Sequence, residues 1–356
     1  MSSSFLISGG GTGGHIFPAL AIGKALQQKY PDAKIEFVGA KDKMEMQKVP
    51  EAGFKIYGLW ISGIDRKISL KNFAFPFKLI SSIIKSYTII KRNKPQVVVG
   101  VGGFASGPLL YVANKLGIPT IIQEQNSYPG ITNKLLAKKA DRICVAFDGM
   151  ERFFAKQKIA ITGNPIRQQL LDCTKTPIEA KQFFGLQDKP TMLIIGGSLG
   201  ARTINKAIES NLELFEKNDI QIIWQTGKSY TAQNKVFGMQ TTFITEMDMA
   251  YRAADIVISR AGASSLSELA ALGKASILVP SPNVTEDHQT KNAIALVQKG
   301  AAILVKDSEA GDKLVPVAMQ LIADKAKVNL LEKNILSMAK PNATDEIVAE
   351  IEKLIK

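Results

Sequence analysis

Residues Ile256–Asn292 read IVISRAGASSLSELAALGKASILVPSPNVTEDHQTKN, and the order of residue types in them decides the fold class. Ile256–Ser259 is a short apolar run ending in a polar residue, the pattern of a strand buried in a parallel sheet. Arg260–Ser265 is a turn of mostly small residues. Leu266, Leu269, Ala270 and Leu272 then recur at helical spacing until Gly273 stops the helix. A strand that feeds such a turn and a helix start aims free backbone N–H groups at one point, which suits a diphosphate. Glu268 lies one turn into the helix, and an acceptor-only carboxylate there can take both vicinal hydroxyls of a ribose. The next strand, Ala275–Val279, ends at Pro280, and its loop brings Glu286, Asp287, His288 and Gln289. Together these features predict a clamp for a nucleotide sugar.

Outward from that stretch the strand–turn–helix unit repeats. Phe5–Ser8 is expected to be the first strand, running into Gly9-Gly10-Gly11-Thr12-Gly13-Gly14-His15 and a helix from about Phe17 to Gln28. Glycines let backbone approach a ligand closely, and the helix start adds a positive dipole end. The turn lacks the Gly-Lys-Ser/Thr of a Walker loop. A dehydrogenase is disfavoured because the second strand, Lys34–Val38, ends in Gly39-Ala40-Lys41 without a ribose-binding acid. Gln96–Val101 enters a second glycine turn, Gly102–Pro108, and Pro119–Gln123 leads to Glu124-Gln125-Asn126 at a strand's carboxyl end, where open α/β sheets bind ligands. Asp141–Ala146 and Lys158–Ile161 complete the first half. Gly163-Asn164-Pro165-Ile166-Arg167 marks a boundary, since Asn-Pro favours an extended or turn conformation. The pattern restarts at Met192–Ile195 with Gly196-Gly197-Ser198-Leu199-Gly200-Ala201-Arg202, and further strands are expected at Ile220–Gln225, Thr242–Ile244, Ile256–Ser259, Ala275–Val279 and Ala302–Leu304. The expected fold is α/β: two doubly wound, Rossmann-like domains facing across a cleft.

Composition narrows the function classes. The 356 residues, 46% hydrophobic and 22% charged, suit two globular domains. Cys144 and Cys173 form neither a disulfide framework nor a metal motif, which points to a reducing cytoplasm. Ahead of Gly9 only Phe5-Leu6-Ile7 is apolar, too short for a signal core, and no run approaches a membrane span. A net charge of +13 favours an anionic partner. Between Gly63 and Pro95 stand Arg66, Lys67, Lys71, Lys78, Lys85, Lys91, Arg92 and Lys94 against Asp65, interleaved with Phe73, Phe75, Phe77, Leu79, Ile80, Ile83, Ile84, Ile89 and Ile90. That mixture fits an interfacial membrane element, and equally a buried helix with solvated lysines. A nucleic-acid partner would call for basic residues and stacking aromatics spread over an accessible face, and none is expected here. His15, one of two histidines with His288, is placed to act as a general base or to bond a substrate without moving a proton.

Taken together, the glycine turn ending at His15, Gln123–Asn126, Gly163–Arg167, Gly196–Arg202, and Arg260–Ala263 with Ser267-Glu268 fall in the order seen in the MurG family, bacterial N-acetylglucosaminyltransferases of glycosyltransferase family 28, which the whole chain resembles. The resemblance implies a GT-B fold, with an acceptor- and membrane-binding domain over residues 1–163. A UDP-N-acetylglucosamine-binding domain would cover 164–340, and a last helix, 341–356, would return to the first domain. It further implies inverting transfer of N-acetylglucosamine from UDP-N-acetylglucosamine to the muramyl 4-hydroxyl of lipid I, giving lipid II. The place would be the cytoplasmic face of the inner membrane, against an anionic lipid surface and beside other cell-wall synthesis proteins, with no cofactor and no metal. Another GT-B enzyme acting on diacylglycerol is the alternative. Carried over by position, Thr12, Gly13, Gly14, Asn126, Arg167, Ser198, Ile244, Ala263, Ser264, Ser265, Leu266, Ser267, Glu268 and Gln289 would contact the donor, Ile244 by its main chain at uracil. His15 would be the catalytic base. With a lipid diphosphate as acceptor, Gly13, Gly14, Gly102 and Gly103 would line its diphosphate, and Phe75, Leu79 and Ile83 would touch lipid. The chain carries Gln123 where many members of the family have histidine, and Glu246-Met247-Asp248, though spaced like an acidic metal motif, is expected to start a helix.

Overall fold

The computed structural model describes residues 3–63, 73–197 and 199–355. Ser198, Asp65, Arg66, Lys67 and Lys71 lie outside the described residues. Contacts divide the chain into two compact units, Met1–Ile166 with Asn342–Lys356, and Arg167–Pro341.

The first unit is built on a seven-stranded sheet in the order β3-β2-β1-β4-β5-β6-β7, every pair parallel. Its strands are β1 (Ser4–Gly9), β2 (Lys34–Ala40), β3 (Lys55–Leu59), β4 (Val97–Gly102), β5 (Thr120–Glu124), β6 (Arg142–Val145) and β7 (Ile159–Ile161). Alternate residues of β1 go to opposite faces. Phe5 and Ile7 pack with Ile16, Ile22 and Leu26 of the helix Gly13–Lys29 and with Ile347 and Ile351 of the last helix, Ala343–Glu352. Leu6 packs with Ile89, Ile90, Leu109 and Leu110 of the helices Phe75–Asn93 and Ser106–Lys115. The last helix is fastened by ion pairs Glu352–Lys29 and Glu350–Arg142, each 2.7 Å. The order reverses at β1 and β4, where Gly9 stands beside Gly102. That is the switch point at which such sheets leave a crevice.

The second unit repeats the plan with six parallel strands in the order β10-β9-β8-β11-β12-β13. They are β8 (Thr191–Ile195), β9 (Gln221–Gln225), β10 (Gly238–Thr241), β11 (Ile256–Ser259), β12 (Ser276–Leu278) and β13 (Ile303–Leu304). Its reversal falls between β8 and β11. One face of the sheet, with Ile194, Trp224, Ile256 and Ile258, packs on Ile204 and Ile208 of the helix Arg202–Glu209 and on Leu314 and Ala318 of Ala310–Ala323.

Three expectations are corrected. Thr242–Ile244 is not a strand: β10 ends at Thr241, and the Ile244 N–H donates to the Gln225 side chain at 3.0 Å instead of joining a ladder. The first helix starts at Gly13, four residues earlier than its apolar pattern suggested, because the Thr12 carbonyl accepts from the His15 and Ile16 amides. The third correction concerns Phe75, Leu79 and Ile83. They are half-buried and pack on the core of the first unit, so they form the inward stripe of the helix Phe75–Asn93. One turn is 3.6 residues, and the outward stripe is Phe77, Ile80, Ile84 and Tyr87, between 47% and 70% exposed. Phe73 just ahead of the helix is also exposed. Of the expected cations on this segment, Lys78 bonds Ser62 at 2.9 Å and Lys85 the Gly58 carbonyl at 2.7 Å.

Candidate active site

In the second unit, β11 delivers the chain into Arg260-Ala261-Gly262, and Gly262, in extended conformation, caps the helix Ala263–Ala271. The first bond inside that helix runs from the Leu266 N–H to the Gly262 carbonyl. The amides of Ala263, Ser264 and Ser265 therefore have no intrahelical acceptor and point along the dipole toward the carboxyl edge of the sheet. Leu266 is buried among core residues, so only its backbone is at this edge, and the Ser267 hydroxyl bonds the Ala263 carbonyl at 3.0 Å.

Glu268 sits below that helix start with its side chain 12% exposed. Its Oε1 accepts from Arg167 Nε at 3.1 Å and Nη2 at 2.9 Å, and its Oε2 accepts from the Tyr251 hydroxyl at 3.1 Å. Burial pushes the Glu268 carboxyl above the ordinary carboxylate range, and Arg167 and Tyr251 pull the other way. Gln289 lies on the loop after β12, where its Oε1 accepts the Ser281 N–H at 2.8 Å, leaving its Nε2 as the group to offer a ligand. Ile244 has a buried side chain, and Gln225, which takes the Ile244 N–H, also donates to the Gly197 carbonyl at 3.1 Å. Gln225 thus ties the glycine turn after β8 to the segment after β10.

The sequence reading passed over Arg260 as a working residue. Its Nη1 donates to the Val279 and Pro280 carbonyls at 2.9 and 3.1 Å and pairs with Asp307, which also accepts from Thr203 at 3.0 Å. One guanidinium therefore fastens the ends of β11 and β12 and the segments at 203 and 307. The only signal in the sequence was a lone arginine in a turn of small residues.

In the first unit, the two glycine turns meet at the switch point. Gly103 has φ +88°, and a Cβ on it would lie 2.4 Å from the Gly10 carbonyl oxygen. The His15 ring lies over Gly102, with its Nδ1 3.1 Å from the Gly10 carbonyl and 3.4 Å from Thr12 Oγ1. A carbonyl oxygen only accepts, so the Gly10 bond keeps the imidazole proton on Nδ1 and puts the ring's lone pair on Nε2. Thr12 and Gly14 are exposed, and Gly13 and Gly103 are half-buried.

Not every amide of the turn is available to an anion. The Gly11 N–H donates to Glu45 Oε2 at 2.9 Å, and Ala40 N–H to Oε1 at 3.0 Å. Glu45 is 1% exposed and fills the space beside Gly10, where a Cβ would meet it at 2.2 Å. Sequence reasoning missed this carboxylate, five residues beyond the end of β2.

The polar run at the end of β5 turns inward. Glu124, fully buried, accepts from the Asn126 and Gly130 amides and from Asn133, and burial raises its pKa. Gln123 donates to Asn164 at 2.8 Å, and Gln125 to the Val101 carbonyl at 2.6 Å. Asn126, half-buried and bonded to Glu124 at 3.2 Å, is the member of the run nearest the surface. Asp248 stands in the first turn of the helix Met247–Ala253 and accepts from Gln169.

Comparison with known proteins extends these observations. The profile of the glycosyltransferase family 28 N-terminal domain matches residues 5–145, and that of the family's C-terminal domain matches residues 191–347. The chain is 56% identical to the UDP-N-acetylglucosamine–N-acetylmuramyl-(pentapeptide) pyrophosphoryl-undecaprenol N-acetylglucosamine transferase of Flavobacterium psychrophilum, covering 99% of this chain and 98% of that protein. It is 53% identical to the protein of the same name from Cytophaga hutchinsonii, covering 98% and 96%. Among solved structures it is similar to Acinetobacter baumannii MurG, at a TM-score of 0.79 and 29% identity over 99% of both chains. A glycotransferase of kitacinnamycin superposes at a TM-score of 0.73 with 14% identity over 100% of both, a likeness of fold.

Proposed function

The chain belongs to glycosyltransferase family 28, and from that premise we infer that it transfers N-acetylglucosamine from UDP-N-acetylglucosamine to the muramyl 4-hydroxyl of lipid I. The product is lipid II, a precursor of peptidoglycan, and the fold is of the GT-B class. The observation that carries the reading at the level of atoms is the Ala263–Glu268 segment, which pairs first-turn amides with a carboxylate 12% exposed. Such a pair fits a nucleoside diphosphate, the amides on the diphosphate and Glu268 on the ribose hydroxyls.

The reaction is a single inverting displacement. The acceptor hydroxyl attacks the anomeric carbon, the bond to UDP breaks on the opposite side, and charge builds on the departing diphosphate. Amides of Ala263, Ser264 and Ser265, with Ser198, stabilise that charge, and Arg167 and Gln289 hold the phosphates and the sugar. His15 Nε2 takes the proton of the attacking hydroxyl. Gly13, Gly14, Gly102 and Gly103 border the acceptor diphosphate, with Gly11 excluded because Glu45 holds its amide. Incubation with UDP-N-acetylglucosamine and either lipid I or diacylglycerol tests the reading by mass: a product heavier by one N-acetylhexosamine should form from lipid I alone, and glycosylated diacylglycerol would overturn it.

No helix among the described residues is long and apolar enough to cross a membrane. The enzyme instead rests on the cytoplasmic leaflet through Phe77, Ile80, Ile84 and Tyr87, the exposed stripe of Phe75–Asn93, with the exposed Lys91 and Arg92 of its last turn on anionic headgroups. The double variant Phe77→Glu/Ile84→Glu is expected to lose sedimentation with anionic vesicles while keeping its kcat on a water-soluble acceptor. Leu79→Glu, which places charge against the core, should instead lower stability by about 1–3 kcal/mol, read as a fall in Tm.

A further inference from the structure

Glu268 has two protein partners of different character. Arg167 is half in solvent, its side chain 51% exposed, and a guanidinium so placed can exchange Glu268 for another anion. Tyr251, on the helix Met247–Ala253, is 1% exposed and has no route out. Its hydroxyl donates to Oε2 alone. The last torsion of a glutamate is broad and roughly two-fold, so an unanchored carboxylate rotates freely about its axis. A vicinal diol, in contrast, needs both oxygens held in one plane facing outward. The buried Tyr251 donor holds Oε2 whether or not Arg167 stays, which restricts that rotation and, once Arg167 turns to another anion, leaves Oε1 and the second lone pair of Oε2 to the ligand.

We propose that Tyr251 is a positioning residue for donor binding, whose hydroxyl locks the Glu268 carboxylate in the orientation that receives both ribose hydroxyls. The proposal rests on the assignment of Glu268 to ribose. A buried tyrosine hydroxyl needs some acceptor in any core. This one donates to the carboxylate that stands one turn beyond the open helix start. Burial, together with the charge of Glu268, holds the phenol protonated far into the alkaline range, so the donor persists at every working pH.

The test is steady-state kinetics of the full-length enzyme with a fixed saturating acceptor. Tyr251→Phe should raise KM for UDP-N-acetylglucosamine about tenfold, the scale of one hydrogen bond to a charged group, with kcat changed less than about twofold. The variant should also discriminate less between UDP and 2′-deoxy-UDP in calorimetric binding, because the hydroxyl contact it weakens is the one the deoxy ligand lacks. Replacement of Tyr251 by 4-aminophenylalanine, which restores an N–H donor on the same ring, should return KM toward the parent value and also covers the case in which the phenylalanine variant does not fold. An unchanged KM in Tyr251→Phe would overturn the proposal. So would an equal loss for UDP and 2′-deoxy-UDP, or a failure of the amino ring to restore binding. Glu268→Gln separates the two levels: if it leaves UDP affinity untouched, the ribose assignment itself is wrong. If it weakens UDP binding while Tyr251→Phe does not, only the positioning role falls.

Discussion

His15→Ala is expected to lower kcat by about 10²–10⁴-fold, the usual contribution of a positioned general base, while the affinity for UDP stays within about twofold of the parent. The expectation follows from the Nδ1 bond to the Gly10 carbonyl, which fixes the tautomer and puts the lone pair on Nε2, the ring nitrogen beside Gly102. The ring also braces the glycine turn, so loss of shape is the competing explanation. His15→Asn distinguishes them, since an amide can donate to Gly10 much as Nδ1 does but accepts no proton at neutral pH. Both variants should be slow. If the asparagine enzyme recovers the parent rate, His15 is a brace and another group removes the proton.

Glu268→Ala is expected to weaken UDP binding by about 10–100-fold, equivalent to about 1.5–3 kcal/mol for hydrogen bonds to a charged acceptor. The variant leaves Arg167 without its 2.9 Å partner, and that freed cation can recover part of the loss by pairing with a phosphate. A companion effect of pH follows from the burial of Glu268. Its carboxyl lies above the ordinary range mainly through desolvation, so the anion is lost, and donor affinity with it, at a higher pH than for an exposed glutamate. The same shift means the folded protein binds this proton more tightly than the unfolded chain does. Ionised Glu268 therefore costs stability at neutral pH, a cost relieved as pH falls through the raised value. UDP titrations from pH 8 downward should show affinity falling toward acid in the parent and a flatter profile in Glu268→Ala.

The fold was legible because both sheets are buried on two faces, which writes their strands as uninterrupted apolar runs such as Val97–Val99 and Ile256–Ile258. β3 was not legible: Lys55-Ile56-Tyr57-Gly58-Leu59 is an edge strand with an exposed lysine and an interior glycine, and nothing in its composition separates it from a loop. In the second unit the residues around Glu268 stood out, since a carboxylate one turn beyond a small-residue turn has few structural uses. Its partners did not. Arg167 lies 101 residues away and Tyr251 17, and only folding brings them to one carboxylate. Glu45 was hidden in the same way, because β2 and the helix Glu45–Glu51 carry it back under a turn some 34 residues earlier. The helix Phe75–Asn93 shows a different limit. It is apolar on two sides, and its composition named the segment without saying which stripe, Phe75-Leu79-Ile83 or Phe77-Ile80-Ile84, meets the core.

A crystal structure with UDP-N-acetylglucosamine bound tests the central claim most directly. The account predicts both ribose hydroxyls within about 3.2 Å of the Glu268 carboxylate and diphosphate oxygens on the amides of Ala263–Ser265. A nucleotide seated elsewhere, with Glu268 still held by Arg167 and Tyr251 alone, would contradict it.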